Sequence, residues 1–156
     1  MLTHAIWATH DMTANRQLWR TEQVIPSDNG AGKRVLDEIL GQLAAHEWSE
    51  RDIFSVHLAL EEALVNAIKH GNRCDVSKSV HVLCELSKDR LRVRIEDEGP
   101  GFNPDQVPDC TGADRLEMPC GRGVLLMRSF MNSVEFSDKG NCVEMTKCRQ
   151  QGEDAA

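Results

Sequence analysis

Glu62 and Asn66 stand four apart in the run EEALVNAIKHGN, residues 61–72. On a helix that spacing points a carboxylate and an amide the same way. The residues around them are apolar, and a charge half sunk in an apolar helix is costly unless it is paired or used. Either Glu62 pairs with Lys69 or a nearby arginine, or it belongs to a site. Two further stretches bear on the choice. Asp97 is followed by Gly99 and Gly101 in DEGPG, where glycine lets a ligand approach the backbone closely. Gly121 and Gly123 flank Arg122 ahead of an apolar run. Glycines opening a helix leave free N–H groups and a positive dipole end, which suit an anion such as phosphate; the same pattern also makes a plain turn.

The elements that would position these residues follow from periodicity. Val56, Leu60, Ala63, Leu64, Ala67 and Ile68 form an apolar stripe that predicts a core helix over 53–70. Ser49 is its expected N-cap, with Asp52 in the third position of a capping box and Gly71 as the C′ residue that ends it. A second helix is expected over 29–45, with Val35, Leu36, Ile39, Leu40 and Leu43 on one face, and a third over 123–132. Residues 21–25 alternate like a short strand. Residues 79–86 and 91–96 read as a hairpin, with Leu91, Val93 and Ile95 on one face and Arg92, Arg94 and Glu96 on the other. Residues 134–136 and 142–146 read as a closing hairpin turning at 138–141. The expected fold is an α/β two-layer sandwich whose mixed, mainly antiparallel sheet carries the helices on one face. Residues 103–120, with Pro104, Pro108 and Pro119, form a loop long enough to be functional.

A chain of 156 residues, 40% hydrophobic and 28% charged, suits one domain. The expected boundaries are an N-terminal arm over 1–20, a domain over 21–148 and a polar tail over 149–156. The net charge of -7 argues against a nucleic-acid surface and for a protein or small-molecule partner. The N-terminus has neither a basic region nor a long apolar run, and no stretch approaches ~18 apolar residues, so the expected location is the cytoplasm. Six cysteines come without CxxC or HExxH spacing and read as free thiols.

Taken in order, Glu-x-x-x-Asn on a helix, Asp-x-Gly-x-Gly after a strand, a long loop, Gly-x-Gly opening a helix and a closing hairpin resemble the GHKL ATPase superfamily. Within it the chain is most similar to the small anti-sigma factors that are serine/threonine kinases. The resemblance runs from about residue 21 to 147, with EEALVNAIKHGN, EDEGPGF and GRGVLLMRSFMNSVEFSDKG as the nearest passages. It implies ATP and Mg2+ as cofactors, with Asn66 as magnesium ligand and Glu62 as general base on an attacking hydroxyl. Asp97 would accept from the adenine amino group, with Gly99 and Gly101 beside the nucleotide. Gly121, Arg122 and Gly123 would lie at the triphosphate under a lid of residues 103–120, in which Arg115 is a candidate for the γ-phosphate. The implied partners are a sigma factor and an anti-anti-sigma protein of the STAS fold, and the family often forms homodimers through its sheet. Many relatives have Gly-Thr near the last strand where this chain has Gly140 and Asn141; Asn141 keeps a hydrogen-bonding side chain for adenine. His70 is expected to make a structural hydrogen bond, and Glu61 to be solvated or salt-bridged. Two alternatives stay open: a nucleotide- and partner-binding module without kinase activity, and a histidine-kinase-type ATPase domain acting on a separate partner.

Overall fold

The computed structural model describes residues 16–103 and 121–151. Its elements are β1 (Gln17–Pro26), α1 (Asn29–Ala45), α2 (Glu50–Val65) continued by a π-helical turn (Asn66–Gly71), β2 (Ser79–Ser87), β3 (Arg90–Glu96), α3 (Gly121–Phe130), β4 (Ser133–Phe136) and β5 (Cys142–Cys148). The sheet runs β1-β2-β3-β5-β4, and each of these pairings is antiparallel, so the expected mixed sheet resolves into an antiparallel one among the described residues.

The two-layer arrangement follows from the strand alternation. Val80, Val82, Cys84 and Leu86 of β2 and Leu91, Val93 and Ile95 of β3 are at most 1% exposed and join one cluster with the helical residues Val35, Ile39, Leu43, Val56, Leu60, Ile68 and Met127. The opposite sheet face is polar. There Arg92 pairs with Glu144 at 3.1 Å and Arg94 with Glu96 at 3.0 Å, a wet face of the kind an antiparallel sheet tolerates.

Several boundaries differ from the sequence reading, each for a physical reason. Strand β1 begins at Gln17, inside the span expected as an arm, because residues 17–20 continue its ladder with β2. Ser49 caps α2 as expected, its Oγ accepting from Asp52 N at 3.1 Å, but Asp52 does not reach back as a capping box requires. Its carboxylate is fully buried, and Oδ2 accepts from Gln150 N at 3.0 Å while Oδ1 lies 4.0 Å from Lys147 Nζ. Lys147 in turn donates to Phe130 O at 2.9 Å. Arg149 donates to the carbonyls of His46 and Glu47 and stacks over Trp48 at 5.8 Å. Residues 149 and 150 thus pin the α1–α2 turn instead of trailing from the domain.

Gly71 does not end the helix in a left-handed conformation. The left-handed residues are Arg73 and Cys74, at φ 53° and 56°, because the π turn carries the chain further before it breaks. Helix α3 starts at Gly121, so both glycines of its opening lie inside the first turn.

Candidate nucleotide site

The site forms where α2 loosens. In the π turn, Asn72 N bonds Ala67 O at 2.9 Å and Cys74 N bonds Ile68 O at 2.8 Å, and such turns recur at functional sites. The turn brings His70 and Gly71 beside Asp97 at the end of β3, on the rim of a cleft open to solvent. Ile95, Met127, Phe136 and Val143 supply its apolar lining, and Asn66, Asp97 and Asn141 its polar groups. Phe102 closes one side, edge to face with Phe136 at 5.4 Å. A mainly apolar cleft with few convergent polar groups suits a planar ligand with a polar edge.

Asp97 is held from every side. Its N–H donates to Asn141 O at 2.9 Å, its backbone carbonyl accepts from Asn141 Nδ2 at 2.9 Å, and its Oδ1 accepts from Gly99 N at 2.8 Å. Burial raises its pKa, opposed by the Gly99 N–H and more weakly by Lys139 and Lys78. Two glycines make room for it. A Cβ on Gly71 would fall within the Asp97 carboxylate, and one on Gly99 would overlap the Gly71 carbonyl. Gly101 and Gly140 are both left-handed, at φ 77° and 79°, and their loops cross so closely that a Cβ on Gly101 would strike the Lys139 carbonyl and one on Gly140 the Phe102 carbonyl.

The second half of the site lies at the start of α3. Gly123 is buried, and a Cβ there would come within 2.8 Å of Glu62 Oε2 and 3.4 Å of Asn66 Nδ2. The first turn of α3 therefore abuts both side chains, with its N–H groups and positive dipole end beside them. Glu62 is half-buried, and among the described residues its carboxylate takes part in no ion pair or hydrogen bond. Among the described residues neither Lys69 nor an arginine pairs with it. Glu61 is exposed and pairs with His57 at 3.7 Å, as expected of it. A half-buried unpaired carboxylate beside an amide and a helix N-terminus can take up a proton next to an anion-binding turn.

Of the residues singled out in the sequence, the structure gathers Glu62, Asn66 and Gly123 at one end and Asp97, Gly99, Gly101 and Asn141 at the other. Asn141 lines the cleft, with its amide donating to Asp97 O at 2.9 Å and its Oδ1 3.3 Å from Ser137 Oγ. Arg122 is exposed on α3 and does not line the cleft, and Gly121 is the first residue of that helix. His70 lines the cleft, and its side chain makes no hydrogen bond among the described residues. Residues 104–120, including Arg115, lie outside the described residues. Sequence reasoning missed Asn72, which is 1% exposed, donates to Ser27 Oγ and Ser79 O, and accepts from Glu98 N at 2.8 Å. This network ties the end of β1, the start of β2 and the Asp97 loop together; the EEALVNAIKHGN run ending at Asn72 was its only signal. It also missed Cys142, a cleft-lining thiol whose pKa burial pushes up to about 11.

Comparison with known proteins shows the family. Residues 25–147 match the model of the histidine kinase-like ATPase domain. An anti-sigma F factor of Clostridium perfringens is 31% identical over 134 residues, 82% of this chain and 94% of the relative. The serine-protein kinase RsbW of Bacillus subtilis is 32% identical over 62% of this chain and 64% of its own length. The serine/threonine-protein kinase BtrW of Bordetella bronchiseptica is 27% identical over 64% and 71%. A crystal structure of RsbU and RsbW domains from Mycobacterium tuberculosis superposes with a TM-score of 0.58 and 16% identity, covering 84% of this chain and 32% of that longer one; at that identity the likeness concerns the fold. The chain belongs to the histidine kinase-like ATPase family, in the branch of anti-sigma factors and serine-protein kinases.

Proposed function

We propose that this chain is an ATP-dependent serine/threonine protein kinase that doubles as an anti-sigma factor, releasing its sigma factor in exchange for a STAS-type antagonist that it phosphorylates. The observation that carries the reading is the Glu62 carboxylate, unpaired among the described residues, beside Asn66 and the first turn of α3. ATP enters as substrate, its adenine in the apolar cleft with the amino group on Asp97 and its phosphates toward α3. The residues present fit magnesium: the Asn66 amide makes no hydrogen bond among the described residues and offers one hard oxygen, which suits an ion that keeps several waters and shares phosphate oxygens. When bound, magnesium supplies neutralisation of the charge that develops during phosphoryl transfer.

The chain's own residues do the rest. Glu62 orients the partner's hydroxyl and takes its proton as the oxygen bonds the γ-phosphorus and the bond to the β-phosphate oxygen breaks, leaving ADP. The N–H groups at Gly121, Arg122 and Gly123 face the phosphates, and Gly99 and Gly101 let the backbone run close to the nucleotide. No helix among the described residues is long and apolar enough to cross a membrane, and a cytoplasmic site of action with a homodimer formed through the sheet completes the reading.

The test pairs two substitutions. Calorimetric titration of ATP with and without magnesium should show magnesium-dependent binding that Asn66→Ala abolishes. Glu62→Gln should bind ATP within a few-fold of wild type yet transfer labelled phosphate to a STAS-domain protein at least ~100-fold more slowly. Undiminished transfer by Glu62→Gln would remove the general base from the mechanism.

A further inference from the structure

The π turn that begins at Asn66 ends on Gly71 and is capped by Asn72. Gly71 makes room for the Asp97 carboxylate, and Asn72 grips the loop behind it. The two ends of the buried Asn72 amide do different things. Nδ2 donates to Ser27 Oγ at 2.8 Å and to Ser79 O at 2.9 Å, and Ser27 Oγ donates in turn to Lys78 O at 2.7 Å, which fastens the amide where β1 ends and β2 begins. Oδ1 accepts from Glu98 N at 2.8 Å. That N–H belongs to the same peptide group as the Asp97 carbonyl, which accepts from Asn141 Nδ2 at 2.9 Å. One planar peptide is thus held at both poles by asparagine side chains, one following α2 and one preceding β5. The peptide on the other side of the Asp97 Cα is held through its N–H on Asn141 O at 2.9 Å. With both flanking planes fixed, the direction of the Asp97 side chain is fixed too, and the Gly99 N–H on Oδ1 orients the carboxylate itself. The Ser27 and Ser79 bonds suffice to join β1 to β2, so the effect of the Glu98 bond falls on Asp97.

We propose that Asn72 is a positioning residue for recognition of the nucleotide base: through the Glu98 N–H it presets the Asp97 carboxylate to accept from an exocyclic amino group, and so strengthens the preference for adenine over a purine that lacks one. The proposal rests on the nucleotide reading above. A carboxylate already aimed loses less freedom when the base arrives than one that must be ordered by it. Asn72 also donates its own backbone N–H to Ala67 O at 2.9 Å, so the carboxylate is held relative to the same turn that carries Asn66.

The experiment measures calorimetric affinity, with magnesium, for ATP and for purine riboside triphosphate, which has hydrogen in place of the adenine amino group. The proteins are wild type, Asn72→Ala and Asn72→Asp. A site that hydrogen-bonds a ligand N–H rejects the analogue lacking it, so wild type should prefer ATP about tenfold or more. Asn72→Ala should bind the analogue within a few-fold of wild type while its preference for ATP falls to about twofold or less. Asn72→Asp keeps an acceptor for Glu98 N and loses the amide donors, so it should melt lower than wild type, as Asn72→Ala does, yet retain most of the preference. Any effect of its charge on the triphosphate is common to both nucleotides and cancels in the ratio. A folded Asn72→Ala that keeps the preference, whether or not both affinities drop, overturns the proposal and leaves the nucleotide site standing. Equal loss of preference in Asn72→Asp excludes the route through Glu98 N and overturns it as well. Wild type that binds both nucleotides alike removes the Asp97 contact and the proposal together, with nucleotide binding intact, whereas wild type that binds neither removes the nucleotide reading itself and the proposal with it. Amide exchange of Glu98 in the ligand-free wild type needs no variant to fold: it should be slowed ~100-fold or more relative to an unstructured peptide, and exchange at the unstructured rate overturns the proposal.

Discussion

Replacing Gly71 by alanine separates two explanations of that residue. If Gly71 were there to end the helix, alanine would cost little, because its φ is not left-handed; in a helical turn it would even gain roughly 0.5–1 kcal/mol. The structure predicts otherwise, since the new Cβ would occupy the place of the Asp97 carboxylate. The carboxylate must then swing away and lose the Gly99 N–H bond of 2.8 Å. A hydrogen bond to a charged group contributes about 1.5–3 kcal/mol, so the net loss of stability should be on the order of 1–2 kcal/mol after the helical gain. On the proposed reading the displaced carboxylate would also no longer meet the adenine amino group, and a loss of similar size there should weaken ATP binding roughly five- to thirtyfold. Chemical denaturation and calorimetric ATP titration read the two effects. Gly41→Ala is the control: it lies in α1 with nothing within 4 Å of the added Cβ and should gain about 0.5–1 kcal/mol without touching ATP affinity. A Gly71→Ala protein that is more stable than wild type and binds ATP equally well would refute the reasoning.

Two further predictions concern buried charge. The folded pKa of Asp97 lies above its unfolded value, mainly through burial, so between the two the native state binds more protons than the unfolded one and stability falls as pH rises through that window. Asp97→Asn, which keeps an acceptor for Gly99 N, should therefore be more stable than wild type to urea at pH 7, and the difference should shrink as pH falls below the folded pKa; a difference that grows on acidification would reverse the assignment. Lys147→Ala removes the cation 4.0 Å from the buried Asp52 Oδ1 and leaves Phe130 O without the Lys147 donor, which should cost about 3 kcal/mol in denaturation, whereas Lys88→Ala, on an exposed turn residue, should change stability by less than ~0.5 kcal/mol.

The sequence by itself determined the layers, because helical and strand periods report which face is buried regardless of what it is buried against. The stripe from Val56 to Ile68 and the alternation of Leu91, Val93 and Ile95 predicted α2 and β3 closely, and the family follows from the order of Glu62, Asn66, Asp97 and the paired glycines. Local patterns gave less at the joints. Asp52 fits a capping box by spacing, yet its partner Gln150 is 98 residues away, and no local rule carries that contact. Gly71 reads as a helix stop because glycine is common there, while its reason for being glycine is the Asp97 carboxylate that β3 delivers against it. The contact of Asn141 with the Asp97 carbonyl was likewise not legible, since only the meeting of β3 and β5 sets its amide there. Whether Glu62 was paired or free was equally undecidable from its neighbours in sequence, because its surroundings are set by Gly123, which α3 brings in from sixty-one residues away. Periodicity is a property of one element, so it survives without the others; a close approach is a property of two, and exists only once they have packed.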